Sequence, residues 1–304
     1  MPERSLDDLV ELLESFLRDL RYHKRSEQTI KTYGKNAGLY LQWARQQTGQ
    51  GTPLSKASVQ AWVLDQMDAR GLEPSTAGTR LKAVRQFSAW LADEGEIDTN
   101  ELETLKAPSL DEKVVESLND EQCQALIDAC KGRTYADKRD EALIRTMLEC
   151  LLRAEETILM NLEDVDLRAG TAIVRRGKGG RGRRVGIGPA TIRAVDRYLR
   201  ARKQHRLADL PALWLSQKRG RLSYTGLDKI IKTRGAQAGI AGRMHAHRLR
   251  HTGASRWILA GGSEGGLQAA AGWRNRQMIN RYTASVREEQ AAQESRRLGL
   301  GNFE

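Results

Sequence analysis

The spacing of apolar side chains predicts a small all-helical region over roughly the first ninety residues. Apolar residues recur there at steps of three and four, which places them on one face of a helix. The first such stretch runs from Leu6 to Leu20, and the second begins at Ser26, a residue type that favours helix N-caps. The third covers Val59–Met67, and the fourth opens at Pro74. We therefore predict four helices and no strand in this region.

The periodicity fails between Gly95 and Leu118, where polar residues dominate. Asn119 followed by Gln122 resembles a capping box, which marks the start of a helix and here of a new domain. The predicted organisation is a helical domain over 1–95, a linker over 96–117 and a second domain over 118–304.

Apolar residues of the second domain follow the helical period in most segments and the strand pattern in one region. A long helix is predicted through Leu143–Leu151, and Pro189 suits the first position of another. Two stretches rich in β-branched residues, Thr171–Arg176 and Arg183–Ile187, flank a glycine-rich segment, which predicts a β-hairpin. Further helical patterns cover 227–238, 246–260 and 276–282. The predicted fold class is mainly α, with a small β-hairpin in the second domain.

Composition excludes several classes of protein. No run approaches the roughly 18 apolar residues of a membrane span, and the acidic, amphipathic start is unlike a signal peptide. The three cysteines, Cys123, Cys130 and Cys150, include no close pair, which disfavours a disulfide scaffold or a thiolate metal site. We expect a soluble cytoplasmic protein.

Charge points to a polyanionic partner. The net charge is +11, and from Arg168 to Arg206 there are thirteen basic residues and one acidic residue. From Asp93 to Glu121 there are eleven acidic residues and two lysines. This pattern predicts a basic working surface beside an acidic, exposed connector. Composition alone leaves DNA, RNA and a membrane surface open.

Several segments carry candidate chemistry, although each is ordinary by itself. The glycine-rich tip around Lys178 lacks the P-loop pattern, because Gly179 follows the lysine. The histidines of 245–251 have no carboxylate among them, which disfavours zinc. His247 and Arg250 lie three residues apart and so share a helical face. Arg153 could be a charge at the C-terminal end of the preceding helix.

Taken together and in this order, the segments resemble the tyrosine recombinase (phage integrase) family over nearly the whole chain. The resemblance rests on an arginine-x-x-glutamate element, a hairpin lysine, a His-x-x-Arg box, a Gly-Trp pair and a later tyrosine. These are Arg153–Glu156, Lys178, His247–Arg250, Gly272–Trp273 and Tyr282. The resemblance implies a SAM-like, core-binding N-terminal domain and a catalytic domain after about residue 118.

The resemblance also implies roles for these residues. Arg153 and Arg250 would clamp the scissile phosphate, whose transition state gathers negative charge. Tyr282 would attack phosphorus, and His247 would handle the phenolic proton. Lys178 would protonate the leaving 5′ oxygen. Trp273 would donate a hydrogen bond to a phosphate oxygen, and Glu156 would orient an arginine or histidine. DNA contacts are predicted for the arginines of the hairpin, Arg175, Arg176, Arg181, Arg183 and Arg184.

Three positions depart from the pattern of the family. Leu151 stands where relatives usually have glycine, and Glu155 adds a carboxylate where relatives have a small residue. Trp273 occupies a position that is more often histidine. We expect neither Leu151 nor Glu155 to abolish the chemistry, although Glu155 alters the local charge.

The implied function is site-specific recombination of duplex DNA at a core site through a 3′-phosphotyrosine link, in a tetramer that pairs two sites. A covalent link conserves the bond energy, so no nucleotide, metal or other cofactor is expected. Localisation with the nucleoid and no membrane partner follow from this function. A short tail, 283–304, is predicted to dock into a neighbouring protomer, with a frayed end as the alternative.

Two rival functions stay open at this stage. A type IB topoisomerase uses a similar residue set but relaxes DNA as a monomer, and a non-catalytic relative would only bind DNA. The target sequence, accessory DNA-bending partners and the choice among integration, excision, dimer resolution and cointegrate resolution also stay open. The start of the helical domain close to Met1 suggests an enzyme without an additional arm-binding domain.

Overall fold

The computed structural model describes residues 4–47, 52–109, 117–175, 182–273, 275, 279 and 294–299. The chain divides into two compact units, Met1–Lys113 and Val114–Glu304. Within the described ranges, no helix is both long and apolar enough to cross a membrane.

The first unit consists of the four predicted helices. Serine side chains cap three of them, and Pro74 occupies the first position of the fourth. Because proline lacks an N–H and holds a helical φ, it suits this position. The helices are α1 (Leu6–Tyr22), α2 (Glu27–Gln46), α3 (Lys56–Asp68) and α4 (Pro74–Asp93).

Aromatic side chains fill the core of the first unit. Phe16 packs against Phe87, with ring centroids 5.5 Å apart. The buried Tyr40 hydroxyl lies 3.0 Å from the Ser58 hydroxyl, so its polar atom is satisfied inside the core. Leu102 and Leu105, which lie in the predicted linker, are also buried in this core. The first part of that segment therefore packs as part of the helical unit.

The second unit holds seven α-helices, one short 3₁₀ helix (Leu162–Asp164) and three strands among its described residues. The helices are α5 (Asp120–Asp128), α6 (Tyr135–Glu149), α7 (Ala154–Leu159), α8 (Pro189–Arg202), α9 (Tyr224–Gln237), α10 (Ala246–Leu259) and α11 (Glu264–Ala271). The strands are β1 (Val165–Asp166), β2 (Thr171–Val174) and β3 (Arg183–Gly186). They form one antiparallel sheet in the order β1-β2-β3.

Most predicted elements of this unit are present, with three differences. The capping box at Asn119 and Gln122 forms as predicted and begins the short helix α5, which precedes the long helix. The long helix, α6, ends at Glu149 rather than Leu151. The strands are shorter than predicted, since β2 ends at Val174 and β3 at Gly186. Helices α7 and α11 were not predicted, because each is too short for a clear apolar period.

A buried ion network joins α6 to α9. Arg234 on α9 donates from Nε to Asp140 at 2.9 Å and from Nη2 to Asp137 at 2.9 Å. Arg139 donates to the other oxygen of Asp140 at 2.7 Å. Buried charges are tolerated only when they are paired and hydrogen-bonded in this way. The network therefore fixes how the two helices pack.

A sharp turn after α6 creates the backbone geometry of the site. Leu151 has a φ of +52°, a left-handed conformation that favours glycine. This explains why glycine is the residue expected there from the family resemblance. Its side chain is buried with Ala254 and Ile258, and that packing offsets the strained backbone. The turn also brings α10 so close that a Cβ at Gly253 would lie within 2.1 Å of the Leu148 carbonyl.

Candidate active site

Arg250 lies at the centre of the site. Its side chain, on α10, is only 1% exposed. It donates to the Leu151 carbonyl at the left-handed turn and, at 2.6 Å, to the Ala271 carbonyl at the end of α11. The guanidinium carbon lies 5.5 Å from the centre of the Trp273 ring, within the range of a cation–π contact. Two segments outside α10, the turn at Leu151 and the stretch from Ala271 to Trp273, thus hold this cation in place.

Arg153 lies at the N-cap position of α7 rather than at the C-terminal end of the preceding helix. The Glu156 carboxylate accepts from the Arg153 backbone N–H at 2.9 Å and from its Nη1 at 2.8 Å. Glu156 thereby forms the reciprocal half of a capping box, because it binds both the backbone N–H and the side chain of the N-cap residue. The Arg153 side chain remains 42% exposed and can reach a bound molecule.

Glu156 connects the two predicted clamp residues. One of its oxygens lies 3.9 Å from Arg250 Nη1, and the carboxylate also accepts two hydrogen bonds from Arg183, at 2.8 and 2.9 Å. Burial alone would raise the pKa of Glu156. The hydrogen bonds from Arg183 and Arg153 overcome burial and hold this pKa at about 2. Glu156 is therefore a carboxylate at any physiological pH.

His247 lies one turn before Arg250 on the same helix. Burial lowers the pKa of His247, and the neighbouring charges of Arg250, His245 and Arg153 lower it further. Its ring meets the His251 ring edge-on at a centroid distance of 4.2 Å. The lowered pKa favours the neutral imidazole, which is the form that can accept a proton.

Arg153, Glu156 and His247 line an open cleft of about 800 Å³. Its walls mix cations with three carboxylates and a phenol. The residues that line it include Arg153, Glu155, Glu156, Arg175, Tyr224, Asp228, Arg243, His245 and His247. Sequence analysis missed Arg243, which lies outside the family motifs. Among the described residues, no cluster of His, Cys, Asp or Glu could hold a metal ion.

The remaining predicted residues fall into three groups. Lys178, Tyr282, Arg176 and Arg181 lie outside the described residues. Arg184 is exposed on β3, and Arg175 lines the cleft while pairing with Glu163 and Asp164. Arg183 differs from its predicted role as a DNA contact. Its guanidinium points inward onto Glu156 and the Ala270 carbonyl, because Glu156 is a buried carboxylate that requires a second cation.

Replacing Glu156 with glutamine is expected to lower the free energy of unfolding at pH 7 by about 3 kcal/mol. The pKa of Glu156 is about 2 in the folded protein against an ordinary 4.5. Its contribution is therefore fully present above about pH 4.5 and is lost as the pH falls towards 2. Urea unfolding of wild type and Glu156→Gln at several pH values measures the difference, which should shrink across this window.

The matched control for that experiment is Glu155→Gln. Glu155 is the exposed neighbour of Glu156, so its substitution should change the free energy of unfolding by less than about 0.5 kcal/mol. Equal destabilisation by the two substitutions would show that the bonds between Glu156 and the arginines do not stabilise the fold.

The chain is similar to known proteins over most of its length. The family model of the phage integrase family matches residues 116–289, and that of the phage integrase N-terminal SAM-like domain matches residues 13–95. Tyrosine recombinase XerC of Chromobacterium violaceum is 30% identical over 277 residues, which cover 90% of each chain. Tyrosine recombinase XerC of Actinobacillus pleuropneumoniae is 29% identical over 87% of this chain and 86% of its own.

Solved structures show the same fold at lower identity. The XerH site-specific recombinase bound to a palindromic difH substrate has a TM-score of 0.76 at 19% identity, covering 94% of this chain and 84% of its own. The Tn1549 transposon integrase in complex with transposon right-end DNA has a TM-score of 0.73 at 18% identity, and the match covers 95% of this chain and 99% of the integrase chain. The chain belongs to the phage integrase family of tyrosine recombinases. This confirms the predicted family and the mainly α fold with a small sheet.

Proposed function

We propose that this recombinase cleaves and rejoins duplex DNA at a specific core site, with Tyr282 as the nucleophile and a tetramer as the active assembly. The observation that carries the proposal is the convergence of the Arg153–Glu156 pair at the start of α7 with Arg250 of α10, beside an open cleft that Arg153 and Glu156 line. Relatives of the same fold have been solved on DNA, as a post-cleavage complex in the case of XerH.

The two arginines suit phosphodiester cleavage better than simple DNA binding. Binding alone is served by exposed, mobile cations, since phosphate contacts carry most of the affinity. Burying Arg250 costs desolvation energy, which is offset here by fixed carbonyl partners and by Glu156. Preorganised cations of this kind stabilise charge that develops in a transition state. This favours an enzyme over a non-catalytic relative.

His247 fits the role of the group that receives the nucleophile's proton. A phenol has an ordinary pKa near 10, so attack at neutral pH requires a base or a cationic field. The pKa of His247 lies below its usual value, which favours the neutral imidazole, the form that can accept that proton. Arg153 and Arg250 supply the field.

An exchange assay separates this proposal from a topoisomerase function. The core site is first identified in the DNA that flanks the gene and is cloned into two plasmids. The protein is incubated with both plasmids, and recombinant products that join them are measured. Relaxation of a supercoiled plasmid is measured in parallel. The proposal expects joint products that require both sites. Relaxation without exchange, at equal rates on DNA with and without the site, would indicate the topoisomerase.

Truncation after residue 285 is expected to leave binding to a single site intact and to remove assembly on two sites. In the described part of the tail, residues 294–298 are helical and Leu298 is 57% exposed, which offers an apolar surface to a neighbouring protomer. So short a segment cannot form a domain of its own. Native-gel titration on one-site and two-site DNA, alongside recombination, measures the effect.

The variant Leu298→Asp tests the same contact without shortening the chain. It should weaken the two-site complex while single-site binding is retained. A truncated protein that still assembles and recombines would show that the tail is a frayed end.

A further inference from the structure

Arg183 is placed differently from the other arginines of the hairpin. It is the first residue of β3, in register with Val174 on β2. Its side chain is only 11% exposed, whereas the next residue, Arg184, is exposed. Alternate residues of a strand face opposite sides, so the two arginines serve different surfaces. Arg183 faces the interior of the site.

All three guanidinium nitrogens of Arg183 donate to groups of the site. Nη1 and Nη2 donate to the two oxygens of Glu156 at 2.9 and 2.8 Å, which is a bidentate pair. Nε donates to the Ala270 carbonyl at 2.6 Å. The planar guanidinium of an arginine can make this set of hydrogen bonds, whereas the single ammonium group of a lysine cannot.

The guanidinium also lies against the backbone that leads to Trp273. A Cβ at Gly272 would lie 3.2 Å from Nη1 and 3.3 Å from Cδ of Arg183. The carbonyl next to that of Ala270, on Ala271, accepts from Arg250. Arg183 and Arg250 therefore bind neighbouring carbonyls at the end of α11, and both lie beside Glu156.

We infer that Arg183 is a positioning residue for the phosphate clamp: it fixes Glu156, and through Glu156 it fixes Arg153 relative to Arg250. The inference rests on the proposed function. Arg183 touches no reacting atom, since its donors are directed at Glu156 and Ala270. Its loss should disturb the clamp while leaving the surface that binds DNA unchanged.

The first test is single-turnover cleavage of a nicked core-site DNA by Arg183→Gln at saturating protein. Cleavage is expected to fall about 100-fold, the size of effect produced by a small misplacement of reacting groups, while affinity for the site is retained. Arg184→Gln should show the opposite pattern, with weaker affinity that is most evident at higher salt. Arg133→Gln, an exposed arginine in the loop before α6, controls for loss of charge.

A change in the substrate separates positioning of the clamp from a general structural role. A methylphosphonate at the scissile position removes the negative charge that the clamp neutralises. The defect of Arg183→Gln relative to wild type should then shrink from about 100-fold to less than about 10-fold. A bridging 5′ sulfur should leave the defect unchanged, because it assists only departure of the leaving group.

A double variant tests whether Arg183 acts through Glu156. Arg183→Gln combined with Glu156→Gln should cleave no more slowly than the slower single variant, since both substitutions break the same link. If Arg183→Gln does not fold, Arg183→Lys retains the charge and should show the same pattern of methylphosphonate rescue with a smaller loss.

Three results would overturn the inference: normal cleavage by Arg183→Gln, reduced affinity with normal cleavage at saturation, or an equal defect on the phosphodiester and the methylphosphonate. Failure of the wild-type protein to cleave any core-site DNA would instead overturn the proposed function. The two kinds of failure are therefore distinguishable.

Discussion

Tyr282→Phe is expected to bind its core site with normal affinity and to form no protein–DNA adduct. Phenylalanine keeps the ring but lacks the oxygen that would attack phosphorus, so cleavage should fall by more than about 1000-fold. The measurement traps protein on a nicked core-site DNA, where the cut strand cannot rejoin, and scores the adduct after boiling in detergent.

Two other phenols serve as controls for that result. Tyr224 is 59% exposed and lines the same cleft as Arg153 and His247, so Tyr224→Phe is the informative control and should still form the adduct. Tyr198 is buried, and burial raises its pKa while its hydroxyl donates to the Leu213 carbonyl, so it cannot attack DNA. An adduct that persists in Tyr282→Phe and disappears in Tyr224→Phe would reassign the nucleophile.

Lys178→Ala is expected to cleave an ordinary core site about 100- to 10,000-fold more slowly than wild type, the usual contribution of a general acid. A substrate with sulfur at the bridging 5′ position should be cleaved at nearly the wild-type rate. Thiols are far stronger acids than alcohols, so a thiolate leaves without a proton. Single-turnover rates of both proteins on both substrates measure the rescue.

Arg250→Ala is the control for this substrate change. Arg250 belongs to the clamp on the non-bridging oxygens, so sulfur at the leaving position should not restore its cleavage. If sulfur fails to rescue Lys178→Ala while wild type cleaves that substrate, Lys178 contributes to phosphate binding instead.

Local sequence signals predicted most of the fold. The helices of the first unit follow from apolar spacing together with serine or proline at their starts, and these are short-range effects. The same holds for the capping box at Asn119, for Pro189 at the start of α8 and for the antiparallel hairpin. The missed helices α7 and α11 are short and are held by tertiary contacts, which leave no periodic pattern.

The family and the candidate residues were also predictable, because the chemistry requires certain side chains in a fixed order. Family comparison confirms that class. The motifs could not predict which of these residues would be buried or what they would bind. Arg153 proved to be an N-cap, and Leu102 and Leu105 of the predicted linker proved to be core residues.

The sequence by itself thus determined the elements, the class of protein and the types of residue at the site. Only the tertiary structure decided their partners: Arg183 binds Glu156 and the Ala270 carbonyl, Arg250 is buried on two carbonyls, and Tyr224 lines the cleft. The reason is physical. A charge pattern does not distinguish one arginine from another. A buried carboxylate such as Glu156 pairs with the arginines that lie within hydrogen-bond distance and in the right orientation. Those distances and orientations are set only when segments distant in sequence pack together.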